Sequence, residues 1–208
     1  MSIGVRSDGT RAIIDVNSSD KLAINQDGSV ELLTPPSVPQ EANDLVTAGN
    51  KLQRGTAQSA SGTAINFTDI PSWAKRVTVL LDGVSTSGTS IVQFQLGTTG
   101  GVETAGYSGS TSAIAATTVG SSVYAGGGIP IDSGGGNIAA AVRVGRLALE
   151  KISGDTWIAS YAGSQTQTVF TQISAGRKAL SGALDRIRLT TVNGTDTFDA
   201  GTVNIMWE

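Results

Sequence analysis

Apolar and polar positions alternate in short runs along most of the chain, and Gly, Asn or Asp separates one run from the next. Ile91-Val92-Gln93-Phe94-Gln95-Leu96 alternates cleanly and predicts a strand with Val92, Phe94 and Leu96 inward and Gln93 and Gln95 outward. Arg76-Val77-Thr78-Val79-Leu80-Leu81 puts Val77, Val79 and Leu81 on one face, and Asp82-Gly83 is expected to turn the chain after it. In Ala141 to Leu149 the apolar phase flips after Gly145, which a bulge at that glycine would restore. Trp157, Ala159 and Tyr161 share a face of the next run, and Val169 and Ile173 point together in the one after it. Asp185-Arg186-Ile187-Arg188-Leu189 alternates, turns at Val192-Asn193-Gly194, and the chain closes on Val203-Asn204-Ile205-Met206-Trp207. No stretch sustains a helical period. The expected fold is all-β, a jelly-roll-like β-sandwich over 55–208, with strand order left open.

Two regions depart from that pattern. Residues 1–33 read as a short N-terminal β-hairpin segment, with Lys21-Leu22-Ala23-Ile24-Asn25 and Ser29-Val30-Glu31-Leu32-Leu33 flanking Gln26-Asp27-Gly28. So small a hairpin is marginal by itself, so it is expected to dock on its own domain, a sister chain or a larger assembly. Residues 34–54 form a Pro-containing linker, in which Thr34-Pro35-Pro36-Ser37-Val38-Pro39 holds three of the five prolines. Within the sandwich, 97–137 is punctuated by glycine and shows little patterning. It reads as a long connection, functional or packed on a neighbour.

Composition narrows the chemistry. The 208 residues include 27 glycines, about twice the usual ~7% share, and only 15% charged residues against a typical ~25%. Net charge is −3 and no Lys/Arg run exists, which argues against nucleic-acid binding. Histidine and cysteine are both absent, closing the imidazole-dependent nucleophile systems and the common zinc sites. No apolar run approaches the ~18 residues of a membrane span, and Met1 to Arg11 lacks the apolar core of a signal peptide.

Few residues remain as candidates. Gly126-Gly127-Gly128 and Gly134-Gly135-Gly136 lack the following Lys and Ser/Thr of a phosphate loop. Asp196 and Asp199 are the closest carboxylate pair, the minimum for glycoside hydrolysis, while Asp82, Glu103, Asp132 and Asp155 are isolated beside turns. An Asp in a turn usually bonds its own backbone. Tyr107 and Tyr124 lie where rings have less core to join, so they are the candidate receptor or interaction loop residues. Trp207, with Arg186 and Arg188 on one face of a strand, is a candidate subunit-interface set. No cofactor or metal is expected, and the chain is expected not to be an enzyme.

Two flanking motifs add a family likeness. Gly55-Thr56-Ala57, then Ser61-Gly62-Thr63-Ala64-Ile65-Asn66-Phe67-Thr68-Asp69-Ile70-Pro71-Ser72-Trp73-Ala74-Lys75-Arg76, and Leu81-Asp82-Gly83-Val84-Ser85-Thr86-Ser87-Gly88-Thr89-Ser90 resemble the opening of a domain common in phage and prophage tail proteins. The closing run from Leu184 to Glu208, through Asp185-Arg186-Ile187-Arg188-Leu189-Thr190-Thr191-Val192-Asn193-Gly194-Thr195-Asp196-Thr197-Phe198-Asp199-Ala200-Gly201, is similar to that domain's end. The likeness is anchored at both ends of 55–208 and carries no catalytic residues. It implies a bacteriophage virion appendage, a homotrimeric tail-fibre or receptor-binding component. The chain is then expected to be made in the host cytoplasm, to be held to other virion proteins by its N-terminus and to meet a host surface glycan or receptor. The alternative is a capsid decoration or head-fibre protein. A tail depolymerase using Asp196 and Asp199, and a lectin unrelated to any virus, are the minor readings.

Overall fold

The computed structural model describes residues 4–7, 11–15, 21–25, 30–32 and 52–208, less 118, 134–137, 140 and 167–169. The chain divides into two compact units, Met1–Lys51 and Leu52–Glu208. In the first, β1 (Gly4–Ser7), β2 (Arg11–Asp15), β3 (Lys21–Asn25) and β4 (Val30–Leu32) form an antiparallel meander in chain order. The hairpin expected around Asp27-Gly28 is present as β3 paired with β4, while its turn and the linker around Pro35–Pro39 lie outside the described residues.

The second unit is a β-sandwich, as the alternation predicts. A nine-stranded sheet holds β5 (Gln53–Arg54), β6 (Gln58–Ser59), β8 (Arg76–Thr86), β11 (Tyr107–Ile114), β12 (Val119–Gly126), β14 (Arg143–Ser153), β15 (Thr156–Gln165), β16 (Phe170–Ala179) and β18 (Phe198–Trp207). The facing five-stranded sheet holds β7 (Ala64–Phe67), β9 (Val92–Thr98), β10 (Gly101–Val102), β13 (Ile129–Pro130) and β17 (Arg186–Thr191). All pairings are antiparallel, and β14, β15 and β16 run as a meander. The order is β12-β11-β16-β15-β14-β8-β18-β5 in the first sheet and β10-β9-β17-β7 in the second, with β6 on β18 and β13 on β9. Gln53–Arg54, which the sequence reading leaves in the linker, pairs with Trp207 and Met206.

The core is the inward set of this pleat. Val77, Val79 and Leu81 of β8, Leu147 and Leu149 of β14, and Trp157, Ala159 and Tyr161 of β15 meet Phe94, Leu96, Ile187 and Leu189 from the opposite sheet, all buried. Each fully buried aliphatic or aromatic side chain contributes about 1.5–3 kcal/mol.

Three sequence expectations are corrected here. Asp82-Gly83 does not turn the chain: β8 runs through it to Thr86, and Gly83 adopts φ 68° as a bulge. Arg143 pairs with Val84 and Gly145 with Leu81, so β8 holds one residue more than β14 at this level. The bulge expected at Gly145 is thus on the neighbouring strand. The β14 alternation is unbroken, because Arg143 rather than Val144 points inward, and Val144 is 41% exposed. Gly145 instead faces Gly163, and a Cβ on either would strike the Tyr161 hydroxyl. Finally, much of 97–137 is not connection but the strands β10 to β13. Inward Thr111 bonds inward Ser174 at 2.9 Å, while Ser108 and Ser110 are exposed, so both faces are polar and the hydropathy period vanishes. Gly134-Gly135-Gly136 and Val169 lie outside the described residues, and Ile173 faces solvent at 47% exposure.

The inward Arg143 has a partner. Its Nε donates to Asp132 at 2.9 Å with both side chains 1% exposed, and its Nη1 donates to the Ala141 carbonyl at 2.9 Å. Asp132, expected to serve its own turn, also accepts the Val92 N–H at 3.1 Å. Arg143 Nη2 is buried without a hydrogen bond. Removing one member of a buried ion pair strands the other charge, whereas removing both can be nearly neutral. Asp132→Asn is expected to cost about 3–5 kcal/mol, and Asp132→Leu with Arg143→Met much less. Urea unfolding followed by tryptophan fluorescence checks this, since Trp73, Trp157 and Trp207 all lie in the second unit.

Candidate functional site

The five-stranded sheet has one apolar and one polar face, and its register shows how they arise. Phe94, Leu189 and Ile65 form one cross-strand row, and Leu96, Ile187 and Phe67 another, both turned to the core. Alternating with them, on the opposite face, lie the rows Gln93–Thr190–Ala64 and Gln95–Arg188–Asn66. Side chains alternate across a pleated strand, so an apolar-in pattern places these amides, hydroxyls and the guanidinium together on the outside.

Outward does not mean exposed. Gln93 and Gln95 are 4% and 6% accessible. The Tyr124 hydroxyl donates to Gln93 Oε1 at 2.6 Å, and Gln95 Nε2 donates to the Gly127 carbonyl at 2.7 Å. The chain from β12 into β13 therefore passes over this edge of the sheet. Gly128 permits the approach, because a Cβ there would lie 2.7 Å from both Gln93 Oε1 and the Phe94 carbonyl.

Beside this cover is a cleft of about 380 Å³ lined by Thr63, Gln93, Gln95, Thr104, Arg188 and Thr190, together with Ala64, Thr191, Val192 and Gly194. That volume is in the ~300–1,000 Å³ range of small-molecule sites. Its chemistry is neutral amide and hydroxyl apart from Arg188. Thr190 donates to the Thr63 carbonyl at 2.9 Å, and Arg188 Nε donates to Asn66 Oδ1 at 3.0 Å. A second cleft of about 380 Å³ lies between Ile70, Thr98 and Ser181–Asp185, at the end of the sandwich.

The candidates from sequence fall in different places. Tyr107 is a core residue, 3% exposed, which corrects its reading as a displayed ring. Its hydroxyl accepts the Leu96 N–H at 2.6 Å and donates to the Glu103 carbonyl at 2.9 Å, so its polar end is satisfied inside. Burial pushes its phenol well above the ordinary tyrosine range. Tyr124 is half-buried at the edge of the polar face, and Arg188 stands within that face. Arg186, on the same side of β17, is tied to Asp185 at 2.8 Å and to the Thr99 carbonyl at 3.3 Å. Trp207 packs on the core from the far sheet and donates to Gln53 Oε1 at 3.2 Å. The structure thus joins Tyr124 and Arg188 through Gln93 and Gln95, and leaves Tyr107 and Trp207 elsewhere. Nothing local in the sequence marks Gln93 and Gln95 as site residues, although their phase opposite Phe94 is what places them here.

Both members of the Asp196 and Asp199 pair are engaged. Asp196 accepts the Asn193 side chain at 2.7 Å and the Ser90 N–H at 2.9 Å, which lower its pKa, and Asp199 accepts the Ser85 hydroxyl. Among the described residues no group of three His, Cys, Asp or Glu side chains is placed to hold a metal ion. Compared with known proteins, the chain matches no family model, no curated protein and no solved structure.

Glu103 ties the β10–β11 connection to β16. It meets Lys178 Nζ at 2.5 Å and accepts the Ser181 N–H at 2.8 Å and hydroxyl at 2.7 Å, while Lys178 Nζ also lies 5.3 Å from the centre of the Tyr107 ring. Burial acts to raise the Glu103 pKa, but the bonds from Lys178 and Ser181 outweigh it and lower the value from 4.5 to about 2. A depressed carboxyl stabilises the fold fully above its unfolded-state pKa and loses that contribution as pH falls through the folded value. The stability gap between the native chain and Glu103→Gln is therefore expected to be constant above about pH 5 and to close as pH falls from 4.5 toward 2. Urea unfolding at stepped pH measures it.

Proposed function

We propose that this chain is a structural component of a bacteriophage virion, a homotrimeric tail-fibre or receptor-binding protein whose sandwich meets a surface glycan of the host. The observation that carries this reading is the polar cleft on the outer face of the five-stranded sheet. Neutral amides and hydroxyls held on a rigid apolar-backed sheet suit a polyhydroxylated ligand, because each group is oriented before the ligand arrives. The flanking motifs supply the virion context, and the first unit would hold the particle.

A second reading, capsid decoration or head fibre, draws on a different surface. The exposed side of the nine-stranded sheet carries rows of small residues, such as Ser110, Ala175, Ser160, Ala148 and Thr78 in cross-strand register. Its edge strand β12 contains no charged residue. Charged residues of this face, such as Arg146 and Arg177, lie in the neighbouring rows, and the uncharged edge strand suits repeated close packing. Copy number separates the readings, since decoration proteins occur in hundreds per particle and fibres in tens or fewer.

Two measurements test the principal reading. The fluorescently labelled full chain is expected to bind cells of a susceptible strain saturably; no binding by folded protein to any susceptible strain contradicts it. Sedimentation at micromolar concentration is expected to give a trimer, and a monomer removes that part of the proposal.

A further inference from the structure

Among the described residues, the cleft on the five-stranded sheet is lined by one charged side chain, and none of them gives it a counter-ion. Arg186 and Arg188 occupy the same face of one strand, two residues apart, yet their surroundings differ. Arg186 is neutralised by Asp185 at 2.8 Å, while Arg188 makes no ion pair with any described residue and gives its Nε to the neutral amide oxygen of Asn66. Among the described residues no carboxylate lines the cleft. Around the guanidinium the other polar groups are amides and hydroxyls: Gln93, Gln95, Thr104 and Thr190. An arginine whose Nε is held by a neighbour keeps its two terminal nitrogens as a planar fork, the geometry that takes a carboxylate through two parallel hydrogen bonds.

From these placements we infer that the cleft takes an acidic saccharide, with a carboxylate of the sugar on Arg188 and its hydroxyls on the flanking amides and threonines. This rests on the glycan-binding reading and narrows it to one ligand class. The protein's net charge of −3 works against adventitious anion capture, so selection for the acid falls to this local arrangement.

The test uses the full chain and two oligosaccharides, one of alternating glucuronate and N-acetylglucosamine and one of galacturonate, each beside its carboxyl-reduced form. Saturation-transfer NMR titrations give the dissociation constants. At least one acid form is expected to bind roughly 10- to 100-fold more tightly than its reduced counterpart, the difference that a charge-assisted hydrogen-bonded pair supplies. Arg188→Gln is expected to abolish that preference and leave weak, equal binding of both forms. Asn66→Asp keeps the arginine but gives it an internal counter-ion, and is expected to do the same should Arg188→Gln fold poorly. Arg177→Gln, exposed on the other sheet, is expected to retain the preference.

Equal binding of acid and reduced forms by the native chain, or binding of none of them, overturns the inference. So does a preference that survives both Arg188→Gln and Asn66→Asp. Cell binding measured in parallel keeps the two levels apart: if the native chain still binds susceptible cells, only the acidic-sugar assignment falls, and if it does not, the receptor-binding reading falls with it.

Discussion

One carboxylate holds the two sheets of this sandwich in register. Asp132 accepts the Val92 N–H at the head of β9 and the Arg143 Nε from β14, so a strand of each sheet is fastened to the same buried group. The attachment also fixes the residues just before it. Ile129 and Pro130 pair with Phe94 and Gln93, and the preceding glycines cross above the Gln93 and Gln95 side chains. The polar face of the five-stranded sheet, with its cover and its cleft, is therefore positioned from the interior. Burying both charges is costly, and the cost is offset only because Asp132 has several donors and Arg143 a second acceptor in the Ala141 carbonyl.

Where one face of a strand is apolar, the sequence is easily read. Val77, Val79 and Leu81, the β9 alternation, the Trp157–Tyr161 strand and the closing Val203–Ile205 pair all face as their phase predicts, and the sandwich follows from them. Legibility fails where the inward residue is polar. Arg143 sits in a run of valines and leucines, so hydropathy assigns the inward positions to Val142 and Val144, and only a distant acid reverses the phase. The strands of 97–137 escape notice for the same reason, since Thr111 and Ser174 satisfy each other inside the fold. Asp82-Gly83 fails differently: the pair does adopt the backbone of a turn glycine, but within a strand whose neighbours continue.

The candidate site was partly visible. Alternation places Gln93 and Gln95 on one side of β9 and Arg186 and Arg188 on one side of β17, but nothing local says that β9 and β17 are neighbours. Strand order, which long-range pairing alone decides, turns two separate polar stripes into one face. The same step withdraws Tyr107, whose glycine-rich surroundings suggest display while its hydroxyl ends among the carbonyls and N–H groups of β9 and the β10 connection. A face of amides, hydroxyls and one guanidinium has the chemical capacity for recognition by shape and hydrogen bonding.

The most direct measurement of that capacity is a nitrogen-15 NMR titration of the full chain with the surface polysaccharide of a susceptible host, following the side-chain amides of Gln93 and Gln95 and the Arg188 Nε. Saturable shifts at these three groups, with Ser160, Ala175 and Arg177 on the opposite sheet unmoved, are the expected result. Saturable shifts confined to the nine-stranded sheet, with the two glutamine amides unchanged, would contradict the placement of recognition on the five-stranded face.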